Sequence, residues 1–276
     1  MNTKKIIRKI LFVAMWLAIG SGMLVLLIAA MGKQNKDVCK GYTIIIKGER
    51  KADFFLDKED ISAMLKKAAK GNIKGQARSA FDLRKMEESL EKNVWIKDAQ
   101  LFFDNKGVIH ASVSEREPVA RIFTEDDNSF YLDENERMIP LSDKAIANVP
   151  VFTGFTDKKK WTKADSLLAR DIKTTAQFIN ANSFWRSQVA QINIVPADGT
   201  DYGEFEMSPM VGNHVIRLGN GDNIEKKFNR LFIFYKQVLA RSGLDKYKII
   251  DVRFAGQVIG VKGTGNKGQG TISNRQ

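Results

Sequence analysis

From Ile10 to Met31 the sequence carries no charged residue. A stretch of about 22 such residues rises about 33 Å as an α-helix, enough to cross the hydrocarbon core of a bilayer. A core helix of a soluble domain rarely runs so far without a polar face. Lys4, Lys5, Arg8 and Lys9 precede the run, and that cluster of cations places its leading end in the cytoplasm. Lys33, Lys36 and Lys40 follow, offset in part by Asp37. The expected order is a basic cytoplasmic tail over 1–9, a transmembrane helix over 10–31, a linker over 32–40, and the remainder outside the cytoplasm. A cleaved signal peptide is the competing reading, with Ala29, Ala30 and Gly32 as its small processing-site residues. Its apolar stretch would be only about 7–15 residues long, so the length of this run favours a retained anchor. Cys39 follows Asp37 and Val38 rather than the small apolar residues of a lipid-attachment site, and reads as a lone thiol.

The anchor changes how the charge is read. The 276 residues include 44 basic and 32 acidic side chains, a formal net charge of +12. Such an excess points to a polyanion, either nucleic acid or acidic lipid. A cytoplasmic tail of about nine residues cannot form a nucleic-acid-reading module. The densest outer run, Lys158, Lys159, Lys160 and Lys163, reads as the solvated entrance to a helix. One cysteine rules out an intramolecular disulfide. The outer part must therefore stand on its hydrophobic core. Two histidines, His110 and His214, are too few with that cysteine for the usual zinc sites.

Beyond the anchor, strand and helix signals alternate. Tyr42–Ile46 is a β-branched run. Asp57 caps a helix bearing Ile61, Met64, Leu65 and Ala68, and Asp82 caps a second with Leu83, Met86 and Leu90. Trp95–Phe103 and Val108–Val113 flank Asp104-Asn105-Lys106-Gly107, a hairpin signal. After Pro118 the expected strands are Val119–Phe123, Ser129–Leu132, Met138–Leu141 and Val149–Phe152. Thr162 opens a long helix, and Val189–Val195, Glu204–Met207 and His214–Leu218 are strands. Asp222 and Glu225 form a capping-box pattern before a second long helix carrying Phe228, Leu231, Phe232, Tyr235, Val238 and Leu239. Lys248–Phe254 and Gln257–Val261 form a terminal hairpin. From Gly263 on, the composition predicts disorder. The class is α+β, with a β-α-α-β-β unit over 41–116, a mixed β-rich unit with two long helices and a C-terminal β-hairpin over 117–262, and a tail over 263–276.

Catalytic patterns are missing. There is no His-Glu-x-x-His, no Gly-x-Ser-x-Gly and no phosphate loop. Glu125-Asp126-Asp127 lies between strands and reads as a solvated turn, while Gly219-Asn220-Gly221 reads as a tight turn before a helix. No metal, cofactor, small-molecule substrate or enzymatic activity is expected.

The order of parts resembles the FtsQ/DivIB family of bacterial cell-division proteins, and the first outer unit resembles a POTRA domain. The motifs that carry the resemblance are local. Val113-Ser114-Glu115-Arg116-Glu117-Pro118-Val119-Ala120 is similar to the family's interdomain link. Phe130-Tyr131-Leu132-Asp133 with Met138-Ile139-Pro140-Leu141, and Val149-Pro150-Val151-Phe152-Thr153-Gly154, are similar to its second and third motifs. Ile250-Asp251-Val252-Arg253-Phe254 with Gly256-Gln257-Val258-Ile259 is similar to its terminal hairpin. The resemblance spans about residues 4–262. Glu136 departs from a glycine common at that turn, and Asn135 is the residue expected to take positive φ instead.

That resemblance implies a non-enzymatic scaffold in the inner membrane, single-pass with its C-terminal domains periplasmic, enriched at the division septum. Its implied partners are FtsB and FtsL and, through them, the septal peptidoglycan synthase. Arg253, Phe254, Ala255, Gln257, Ile259 and Val261 are the implied partner-binding residues, with Lys226, Lys227 and Arg230 as rim charges. A final strand at a sheet edge would accept an incoming strand. Three other readings compete: a protein-translocation component, which needs a C-terminal β-barrel; an enzyme acting on cell-wall glycan through acidic residues; and a membrane-anchored sensor domain.

Overall fold

The computed structural model describes residues 12–26, 38–48, 55–156, 161–197 and 202–263. Within the apolar run, residues 12–26 form helix α1, and every one of them is exposed. No helix among the described residues is long and apolar enough to cross a membrane. The tail expected at 1–9, the ends of the expected span at 10–11 and 27–31, most of the linker, Lys158–Lys160 and the tail from 264 lie outside the described residues. The chain divides into two compact units, Met1–Arg116 and Glu117–Gln276.

In the first unit, β1 (Gly41–Lys47) is followed by α2 (Lys58–Ala68), α3 (Leu83–Leu90), β2 (Ile96–Phe103) and β3 (Val108–Glu115). Asp57 caps α2 reciprocally: its carboxylate accepts from Asp60 N at 2.8 Å, and Asp60 accepts from Asp57 N at 2.9 Å. The sheet order is β1-β3-β2, with β1 parallel to β3 and β2 antiparallel to it. A parallel pair needs a long crossover, which the two helices supply. Alternate residues Ile109, Ala111 and Val113 of β3 are buried, as are Ile61, Leu65, Met86 and Leu90 of the helices. Phe55 stacks on Trp95 with ring centroids 4.1 Å apart. Cys39 is buried and donates to the Gly41 carbonyl at 3.2 Å.

In the second unit the strands are β4 (Pro118–Thr124), β5 (Ser129–Asp133), β6 (Met138–Ile139), β7 (Val151–Phe155), β8 (Val189–Pro196), β9 (Gly203–Pro209), β10 (Val215–Gly219), β11 (Tyr247–Asp251) and β12 (Ile259–Lys262). Among the described residues they form one mixed nine-stranded sheet ordered β12-β11-β10-β9-β8-β7-β4-β5-β6. Helices α4 (Lys163–Ala181), α5 (Ser183–Gln188) and α6 (Ile224–Phe234) accompany it, and α6 continues through a π-helical turn over Tyr235–Leu239. The core joins Ile122, Phe152, Phe205, Met207, Ile216 and Ile250 from the strands to Ile172, Ala176, Phe228 and Leu231 from the helices. Alternation sends Glu204, Glu206 and Arg217 to the opposite sheet face.

Several local expectations are corrected. Pro118 opens β4 rather than standing outside a strand, at a first position that needs no ladder N–H. The strand expected at Val149–Phe152 is shifted to Val151–Phe155. Glu136, not Asn135, has positive φ, at 62°. Its side chain accepts from Lys173 of α4, and Asp133 Oδ1 accepts from both Asn135 N and Arg137 N at 2.8 Å. These bonds hold the turn without a glycine. Asp222 does not cap α6. Asn223 occupies the N-cap in the left-handed region, without a side-chain cap bond, while Asp222 accepts from Asn220 Nδ2 at 2.7 Å.

Candidate functional site

The terminal hairpin sits at one margin of the sheet. β12 pairs with β11 in the register Ile249↔Val261 and Asp251↔Ile259. On its other side β12 has no neighbouring strand among the described residues, so its outward backbone groups face solvent. Ile259 and Val261 are 42% and 47% exposed. The sequence extended both strands into the turn, but β11 ends at Asp251 and β12 begins at Ile259. Arg253, Phe254, Ala255 and Gln257 therefore belong to the turn.

A charge network holds that turn. Arg253 Nε lies 3.1 Å from both Asp251 oxygens, Nη2 donates to Asp251 Oδ2 at 2.7 Å, and Nη1 donates to Glu204 Oε2 at 2.9 Å. The hydrogen bonds to Asp251, and then to Glu204, hold the guanidinium further above its usual range. Gly219 makes room for the stem: a Cβ there would lie 3.0 Å from Arg253 Cγ. Next to it, Arg217 Nε donates to Glu206 at 3.0 Å. These pairs border a surface cavity of about 630 Å³, lined also by Tyr202 and Lys227. The sequence reading missed Arg217, Glu204 and Glu206. The signal was the in-out alternation of Glu204-Phe205-Glu206-Met207 against Arg217, but pairing them requires the register.

The expected contact residues separate into two groups. Phe254 is 46% exposed beside the Arg253 guanidinium; Ala255, Gln257, Ile259, Val261 and Lys226 are also exposed. Lys227 is not a rim charge. It is buried and donates to Asn220 O at 2.9 Å and Asn220 Oδ1 at 3.0 Å, and burial pulls its pKa down. Arg230 is half-buried, with Nη2 donating to Val252 O at 2.7 Å. Both tie α6 to neighbouring loops. Arg253 likewise pairs within the chain, with Asp251 and Glu204, while its side chain stays part-exposed.

Elsewhere, His110 pairs with Asp104 at 3.1 Å and stacks on Phe102. His214 is buried against Tyr235, with Nε2 2.9 Å from the hydroxyl. Among the described residues no cluster of three or more His, Cys, Asp or Glu side chains could hold a metal ion. Burial pushes the His214 pKa below its ordinary value, against the opposing influence of the Leu244 backbone and Asp245. As pH falls below about 6.5 the unfolded chain takes up a proton that the folded chain refuses. Stability present above that pH is therefore lost as the medium acidifies towards the folded-state pKa. Thermal melts across pH 7.5 to about 5 should show this loss, and His214→Gln should remove that component of the slope.

With the architecture in view, the comparisons with known proteins decide the family. Residues 117–261, more than half of the chain, match the family description "FtsQ/DivIB, C-terminal related". The chain belongs to the FtsQ/DivIB family. Residues 37–114 match a POTRA-like domain. A curated relative, "Cell division protein FtsQ" of Salinibacter ruber (strain DSM 13855 / M31), is 29% identical over 198 residues. The aligned region covers 67% of this chain and 72% of that protein. The FtsQ/DivIB match contains the whole candidate edge, from Lys226 to Val261.

Proposed function

We propose that this FtsQ/DivIB protein is a non-enzymatic division scaffold whose edge strand β12 captures the extracytoplasmic parts of FtsB- and FtsL-type partners. Through them it is linked to septal peptidoglycan synthesis. The apolar run at 10–31 anchors it in the inner membrane with residues 1–9 in the cytoplasm, and the POTRA-like region over 41–116 contributes to recruitment at the septum. The observation that carries this reading is β12 itself, a strand paired on one side only among the described residues, with Ile259, Val261 and Phe254 exposed along it and at its turn. An incoming strand would satisfy its backbone groups, and the apolar side chains would supply specificity.

The expected result is selective. Phe254→Ala should weaken partner capture by about 1–3 kcal/mol, the range of an interface hot spot, while leaving the melting temperature unchanged. In cells depleted of the native chain, that variant should support division poorly and leave filaments. Unchanged binding by a folded variant would remove the edge-strand reading. Normal septation after confirmed depletion would remove the divisome role itself.

A further inference from the structure

The strand directions place a second surface at one end of the same sheet. β4, β7, β8, β10 and β11 run one way, and β9 and β12 run the other. The starts of β10 and β11 and the ends of β9 and β12 therefore share the sheet end at which β4 begins, where the chain enters this unit. The loops at that end expose Met210 at 63%, Val211 at 49% and Leu244 at 38%. They form one tip: a Cβ at Gly212 would sit 3.4 Å from Leu244 Cβ and 2.8 Å from His214 Nδ1. Gly212 has φ +89°, so the loop folds tightly onto the buried histidine and turns Met210 and Val211 outward.

Around that tip stand Arg241, Lys246, Lys248 and Lys262, all exposed, with Asp245 as the acidic neighbour and Asn213 as the neutral polar one. Tyr247 pairs with Lys262 across β11 and β12. A Cβ at Gly263 would meet the Lys248 stem at 2.9 Å. The cations are thus gathered on the same end as the apolar tip. Three apolar side chains on a loop tip are far less than the roughly 1,000 Å² a specific protein interface buries. A few apolar groups ringed by cations are what enters the headgroup layer of an anionic bilayer.

We propose that Met210, Val211 and Leu244, with Arg241, Lys246, Lys248 and Lys262, form a lipid-contacting tip that rests the second unit on an acidic phospholipid surface. The inference builds on the membrane-anchored reading, since the anchor keeps the tip within reach of a bilayer. Apolar insertion gives the contact depth and the cations select anionic lipid, so the contact weakens as salt screens the surface.

The test uses the full chain in nanodiscs of phosphatidylcholine alone or with phosphatidylglycerol. An environment-sensitive fluorophore is placed on Val211→Cys or, separately, on Trp16→Cys within the apolar run. Cys39 is buried, and the unsubstituted chain measures its background labelling. Spin-labelled lipid should quench the probe at 211 in the anionic discs, and quenching should fall several-fold in high salt and in K246E/K248E. No lipid quenching at 211, with the probe open to aqueous iodide, overturns the proposal. No lipid quenching with iodide also excluded overturns it too and assigns the surface to protein, either this chain or a second copy. The probe at 16 reports the anchor separately. Quenching at 16 without quenching at 211 rejects the tip alone, quenching at 211 without quenching at 16 rejects the anchor alone, and quenching at neither rejects both.

Discussion

Gly154→Ala will lower the stability of the second unit by about 3 kcal/mol or more, one of the largest effects of any single methyl group in the protein. Gly154 is the extra residue of a bulge in β7: Phe123 pairs with Thr153, and Thr124 already pairs with Phe155. Its φ is +83°, and a Cβ there would lie 2.6 Å from the Ile194 carbonyl oxygen of β8. The left-handed backbone alone costs an alanine about 1–2 kcal/mol. The overlap is with main chain inside a sheet, so no rotamer relieves it and β7 and β8 must separate. For a unit of this size the loss corresponds to a fall of about 10 °C in melting temperature. Gly256→Ala is the matched control, because Gly256 has φ +76° but nothing within 4 Å of its added Cβ. Circular-dichroism melts of both variants separate the two costs. Equal falls would show that the overlap with β8 contributes nothing.

Local signals were legible in the sequence where the physics is local. Thr162 caps α4 and exchanges a reciprocal pair of bonds with Asp165, as its hydroxyl before a helical apolar stripe predicts. The Asp104–Gly107 turn gives the β2–β3 hairpin. Periodicity found the core face of α6, where Phe228 and Leu231 are buried, because burial follows the period of the helix. What was not legible depends on partners distant in sequence. β7 lies between β4 and β8, parallel to both, and nothing near Val151 encodes those neighbours. α5 is a six-residue helix capped by Asn182, too short to establish a helical period. The turn at Glu136 is held by Lys173, thirty-seven positions away. Lys227 resembled surface by residue type alone, yet Asn220 gives its ammonium two acceptors and lets it be buried. At the candidate edge, the motif located the hairpin, but only the register showed which residues are exposed and which are committed to one another.

Arg253→Glu will show what that commitment is worth. A reading of Arg253 as a partner-facing charge predicts a folded variant with weakened binding. The geometry predicts unfolding of the turn first. Asp251, with a side chain only 8% exposed, loses the guanidinium that neutralises it, and a third carboxylate arrives beside Asp251 and Glu204. Breaking a largely buried pair from one side costs about 3 kcal/mol, and here repulsion adds to it. The variant should therefore melt well below the native chain and lose partner binding because the hairpin is no longer formed, whereas Phe254→Ala should lose binding with its melt intact. Glu204→Arg placed in the Arg253→Glu background restores an opposite charge across the same gap and should recover part of the stability, a coupling that a double-mutant cycle measures directly. If Arg253→Glu instead melts like the native chain and still fails to bind, the network does not hold the turn. Arg253 then acts at the interface, with Asp251 and Glu204 positioning its charge for the partner.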